Sequence, residues 1–188
     1  MSRCIDKWLS GKRGLEIGAG AQNNYRLNAL NVSIGDQFFE DHQRSLGLEP
    51  SPIHIKADAA SIPVDDNSQD FVFSSHMIEH HPNPLKAIQE WYRVVRPKGF
   101  IVMVVPQRDA LESDKEKPLT DVATQWERYN TNITTAPDVH HSRWTSQTFV
   151  EMLNEGTKIE LWKLKICEVM DPDDQVTNGF IVVAQVLK

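Results

Sequence analysis

Apolar residues along the chain fall into short blocks, some alternating and some with a helical repeat. Gly14-Leu15-Glu16-Ile17 leads into Gly18 and Gly20, one residue apart, which predicts a buried parallel strand entering a tight turn. Leu30, Val32 and Ile34 alternate with polar neighbours and predict a second strand running through Ile34 towards Asp36. Residues 37–46 predict a helix, stopped by Gly47 and by Pro50 and Pro52. Ile53–Asp58 predicts a third, short strand ending in an acid. Asp70–Ser75, nearly all apolar, predicts a fourth that is buried on both faces. Leu85, Ile88, Trp91, Tyr92 and Val95 recur at three- and four-residue steps behind Asn83-Pro84, a helix that Pro97-Lys98-Gly99 closes. Phe100–Val105 is the most apolar strand. Thr145 caps a predicted helix over Ser146–Leu153 that stops near Gly156. Glu160–Val169 and Phe180–Leu187 predict an antiparallel pair, joined by a loop that begins Asp171-Pro172-Asp173-Asp174. Asp6–Leu9 fits a short covering helix, and the polar segment after Gly20 leaves room for only a brief or irregular first crossover.

Alternating strand and helix patterns imply crossover units and a mostly parallel sheet. The chain has 188 residues, 40% apolar and 24% charged, which suits one domain with a proper core. A net charge of −6 and a pI near 5.6 argue against a broad nucleic-acid-binding face. No apolar run is long enough to span a bilayer. The residues from Met1 to Lys7 lack the apolar core of a signal peptide. Cys4 and Cys167 are far apart and form no Cys-x-x-Cys, so the expectation is two reduced thiols in the cytoplasm, with no metal cluster.

Ligands of such sheets bind at the carboxyl ends of the strands. The loop after the first strand supplies Gly18 and Gly20, that after the second Asp36, that after the third Asp58, and that after the fourth Ser74, Ser75 and His76. The glycines allow positive φ and close approach of a ligand. An acid after the second strand can accept from both hydroxyls of a ribose. An acid and a backbone amide after the third can read an adenine edge.

At this point the chain resembles the class I S-adenosylmethionine-dependent methyltransferases of small-molecule type, methyltransferase domain 11. The resemblance rests on Leu15–Gly20, on the run from Ala57 to Val72, on Met77-Ile78-Glu79-His80, and on Arg93–Phe100. It implies an α/β, Rossmann-like doubly wound fold, a seven-stranded mostly parallel sheet with an antiparallel final strand. Residues 14–106 would form the cofactor-binding core, 107–144 a substrate-side insertion, and 145–188 a C-terminal helix and strand pair. It also implies that Glu16, Gly18, Ala19 and Gly20 line the methionine part of S-adenosylmethionine. Asp36 would hold the ribose, Asp58 and Ala59 would meet the adenine, and Ser74, Ser75 and His76 would flank the sulfonium. Ser33, directly after Asn31-Val32, competes for the ribose position. Asp36 is preferred because a strand running through Ile34 would end there.

Methyl transfer needs an acceptor held in line and, for a hydroxyl, a base to take its proton. His140 and His141, in the insertion, are the candidate bases. His76, His80 and His81 also follow the fourth strand, and His80 could equally stabilise its loop. A metal on the His140-His141 pair with Asp138 is disfavoured because adjacent side chains diverge, so no metal is expected. Trp126, Tyr129 and Trp144 could line an acceptor pocket or pack the insertion onto the core. Asp171, Asp173 and Asp174 read as a solvated turn. The expected partner is a small-molecule or lipid-like acceptor, with nucleic acid disfavoured because no Asn-Pro-Pro-Tyr-type motif follows the fourth strand. A nicotinamide-binding domain is the alternative, against which Ala21-Gln22-Asn23 offers no third glycine. A scaffold that binds cofactor poorly is another.

Overall fold

The computed structural model describes residues 2–21, 25–131 and 140–188. In chain order these form α1 (Arg3–Leu9), β1 (Gly14–Ile17), β2 (Ala29–Ser33), α2 (Gln37–Ser45), β3 (Ile55–Lys56), β4 (Gln69–Ser75), α3 (Pro84–Val94), β5 (Val95–Pro106), α4 (Val122–Asn130), α5 (Ser146–Lys158), β6 (Leu164–Met170) and β7 (Gly179–Val186). The strands make one sheet in the order β3-β2-β1-β4-β5-β7-β6. The first five pair in parallel, and β7 runs antiparallel to both β5 and β6. This is the expected doubly wound α/β sheet, reversing its order between β1 and β4.

Alternation along the strands divides the core between two faces. Leu15, Ile17, Val72, Ile101 and Met103 point to one face, where α3 brings Leu85, Ile88 and Trp91 and α5 brings Phe149 and Leu153. Phe71, Phe73, Val102 and Val104 point to the other, covered by Cys4, Ile5 and Leu9 of α1 and by Tyr25. α3 starts where its residues dictate. Asn83 accepts from the Lys86 amide, and Pro84 occupies a first-turn position that has no amide to satisfy. Arg93 on that helix donates to the carbonyls of Ile62 and Val64 and pairs with Glu90 and Asp66, which ties the β3–β4 connection to the helix.

Several expectations change. β2 ends at Ser33 rather than running through Ile34, because β3 pairs with it over two residues only. Ile34 is 52% exposed, and Gly35 turns the chain at φ +75°. Asp36 is therefore the N-cap of α2, its Oδ1 accepting from Phe38 N at 2.8 Å. α5 passes through Gly156 instead of stopping there. The Trp162 ring lies against that glycine, 2.2 Å from where a Cβ would stand, so the residue serves packing. α4 forms inside the stretch read as polar. Trp144 is wholly buried against Phe149, which makes it core. Asp173 is no solvated turn residue. It is 1% exposed and accepts from the amides of Gln175, Val176 and Gly179. Asp174 accepts from Arg3 N and Cys4 N at the start of α1. The first crossover begins at Ala21, and its Gln22 and Asn23 lie outside the described residues, as does Asp138.

Candidate active site

The carboxyl edge of the sheet carries two groups of residues. On the β1–β2–β3 side the groups are mostly backbone. Gly18 adopts φ +68°, and a Cβ there would stand 2.8 Å from Met77 Cγ, so glycine is required twice over. Its amide donates to Val32 O at 2.9 Å, and the Ala19 amide donates to Asn31 Oδ1 at 3.0 Å. Asn31, buried, also donates to Pro52 O, so its amide braces the glycine turn against the neighbouring strand. Glu16 stands opposite Phe73 in the register, and burial pushes its carboxyl up to about 7. Ser33 Oγ accepts from Gly35 N at the end of β2, and Asp36 stands three residues on. Asp58 accepts from His81 Nε2 at 3.3 Å and from Ala60 N at 2.7 Å. The His81 hydrogen bond leads in holding that carboxyl below its usual range. Ala59 O accepts from the Trp91 indole.

On the β4–β5 side the groups are side chains. Ser74 Oγ and His76 Nε2 are buried with no hydrogen-bond partner among the described residues. Ser75 Oγ lies 3.3 Å from the Tyr25 hydroxyl. His76 sits at φ +48° with its amide on Val104 O, and burial lowers its imidazole pKa. Glu79, in the 3-10 turn Ile78–His80, is 1% exposed, and neither carboxylate oxygen has a hydrogen-bond partner among the described residues. Burial pushes it up to about 8. His80 Nε2 is 3.7 Å from Glu79 Oε1, and the His80 and His140 rings meet edge-on at 4.6 Å. His140 Nδ1 lies 2.5 Å from Asp114 Oδ2. Asp114 is 2% exposed and also takes Lys117 at 3.1 Å. Burial works to raise its pKa, but the hydrogen bonds from Lys117 and His140 outweigh it and keep it low.

The structure thus brings His140 against His80, and the charge of His140 acts on His76. His141 enters through its backbone: its amide donates to Glu79 O at 2.8 Å, and its carbonyl accepts from Arg128. Glu79, Asp114 and Asn31 are site residues that sequence reasoning missed. For Glu79 a signal existed, a carboxylate set between Ile78 and two histidines. For Asp114 none did, because its partner lies 26 residues away.

Residues 15–103 match the family model described as a methyltransferase domain. An uncharacterized methyltransferase of Mycobacteroides abscessus is 34% identical over 113 residues, which is 50% of this chain and 40% of that protein. A demethylmenaquinone methyltransferase of Staphylococcus epidermidis is 31% identical over 74 residues, 39% of this chain and 30% of that one. The chain therefore spans less than half the length of either relative. Among solved structures, a SAM-dependent methyltransferase from Methanosarcina mazei shares the fold with a TM-score of 0.62 at 17% identity, covering 100% of this chain and 98% of its own. Residues 15–103 thus carry the match to the methyltransferase domain, and the whole chain has the fold of the class I S-adenosylmethionine-dependent methyltransferases. S-adenosylmethionine is the cofactor of that class.

Proposed function

We propose that the protein transfers a methyl group from S-adenosylmethionine to a small-molecule or lipid-like acceptor. The observation that carries the reading is Gly18, held at positive φ against Met77 beside two unpartnered buried polar atoms, Ser74 Oγ and His76 Nε2. These features fit the cofactor: a turn with no room for a side chain, and polar groups awaiting a ligand.

When bound, S-adenosylmethionine supplies an electrophilic methyl group with a thioether as leaving group. Glu16, Gly18, Ala19 and Gly20 would line its methionine part. Asp36 would accept from the ribose, since its Oδ1 serves the helix cap and a carboxylate has acceptor capacity to spare. Ser33, at the true strand end, is its competitor. Asp58 and Ala59 would meet the adenine, and Ser74, Ser75 and His76 would face the sulfonium. Asp114 orients His140 through Nδ1, which leaves Nε2 to take a proton from the acceptor. His141 positions that segment through its hydrogen bond to Glu79. In this reading the chain is one domain, residues 14–106 holding cofactor and 107–144 meeting the acceptor.

The test is calorimetric titration of the full chain with S-adenosylhomocysteine and, separately, NAD. Micromolar binding of the first alone supports the reading. Binding of NAD alone, or of neither, overturns it.

A further inference from the structure

We infer that Glu79, His80 and His140 form a binding site for a divalent transition metal, with Asp114 as the carboxylate that orients His140. One donor atom from each of the three ligands lies within 4.8 Å of the other two. The Glu79 carboxyl is buried, and neither of its oxygens accepts a hydrogen bond from any described residue; His80 Nε2 and His76 Nδ1 stand 3.7 and 4.0 Å from Oε1. A carboxyl in that position costs free energy unless something compensates it, and a cation would do so. His140 has Nδ1 committed to Asp114, so Nε2 is the atom left to ligate. That is the carboxylate–histidine–metal arrangement in which an outer carboxylate fixes ring orientation and raises ligand basicity. Asp114 is itself anchored by Lys117, with Arg143 at 3.7 Å.

The backbone holds the two ligand-bearing segments together. Glu79 O accepts from both His141 N at 2.8 Å and Ser142 N at 3.1 Å, so residues 79–80 and residue 140 keep a fixed separation. Two imidazoles and one carboxylate, without sulfur, suit zinc and its first-row neighbours better than magnesium or calcium. Zinc bonds of about 2.0–2.2 Å require the widest donor spacing to close by roughly an ångström. Three protein ligands leave a coordination position open, as in zinc sites that do chemistry rather than brace a fold. This set differs from the pairing of adjacent His140 and His141 that side-chain divergence disfavours, because His80 and Glu79 come from another segment.

An acceptor oxygen at the open position would lose its proton to solvent more readily, and His140 would then be a ligand rather than the base. That use of the site rests on the methyl-transfer reading, whereas metal binding does not.

The experiment strips the full chain with a chelator, then titrates zinc chloride by calorimetry and cobalt chloride by visible absorption. The expected result is one equivalent bound, with intense cobalt bands of low-symmetry coordination. Glu79→Gln and His140→Ala, checked for folding by circular dichroism, should each weaken binding at least tenfold, and Asp114→Asn roughly 10–100-fold. His42→Ala, on the exposed face of α2, should leave it unchanged. Absence of stoichiometric binding to the wild-type chain overturns the site, as does binding that survives both Glu79→Gln and His140→Ala. S-adenosylhomocysteine titrated on the same samples separates the two readings. Cofactor binding without metal leaves the methyltransferase and removes the metal site; metal without cofactor does the reverse.

Discussion

The two halves of the sheet's carboxyl edge are built on different principles. The β1–β2–β3 half is made of backbone: a glycine at positive φ, amides tied to Val32 and Asn31, and a strand end. The β4–β5 half is made of side chains gathered from three separate stretches, Ser74–His81, Asp114 and His140. A backbone site is written locally, since glycine is needed where the turn is. A side-chain site depends on loops that meet only in the fold. In the function proposed above, the first half would bind a cofactor common to a whole class. The second is where such an enzyme would differ from its relatives, and it is held by buried charge, which is costly when broken.

Asp114→Ala should have the largest effect. It leaves His140, Lys117 and Arg143 facing a buried gap and should cost roughly 3 kcal/mol or more of stability in urea unfolding. A loss under about 1 kcal/mol would mean that the β4–β5 half does not hang on this carboxylate. Asp36→Ala should weaken S-adenosylhomocysteine binding by about 10–100-fold, the worth of a charge-assisted hydrogen bond. Ser33→Ala should weaken it only a few-fold. If Ser33→Ala has the larger effect, the ribose sits at the strand end and Asp36 is only a helix cap. Gly18→Ala should cost about 1–2 kcal/mol of stability through its positive φ. The same variant should lower cofactor affinity, while zinc binding on the other half stays unchanged. Loss of both together would show the halves to be one unit.

The last test concerns pH. Folding raises the Glu16 carboxyl from 4.5 to about 7, so the folded chain holds that proton more tightly than the unfolded one. Its contribution to stability is greatest below pH 4.5 and declines as pH rises through about 7. The urea midpoint should therefore fall less between pH 5 and pH 8 in Glu16→Gln than in wild type. An unchanged fall would place the pH dependence elsewhere, with Glu79 the next group to test.

The apolar strands β1, β4 and β5, the glycine turn, α3 and the antiparallel end strands were legible because each has an undiluted local signal. The end of β2 was not. Ile34 continues the alternation perfectly, and only the short reach of β3 leaves it unpaired. α4 hid because its one buried residue is Gln125, which donates to Ser142 Oγ, so its inward face is polar. Gly156 reads as a stop and acts as a seat for Trp162, a contact set by residues beyond the helix. Asp173 looks the same in sequence whether it faces water or three amides.

Those amides have a neighbour with a longer reach. Asp174 closes two hydrogen bonds with Arg3 and Cys4, across separations of 171 and 170 residues, and Glu168 takes Lys7 and the Trp8 indole beside it. During synthesis α1 emerges before any strand of the sheet, yet the two carboxylates that tie it down belong to β6 and the loop after it. The apolar face of Cys4, Ile5 and Leu9 packs on β4 and β5, which are made first, whereas its hydrogen-bonded ties wait for β6 and the loop after it. A chain that stopped short of Asp174 would keep those apolar contacts and lose the carboxylate that holds the first turn of the helix.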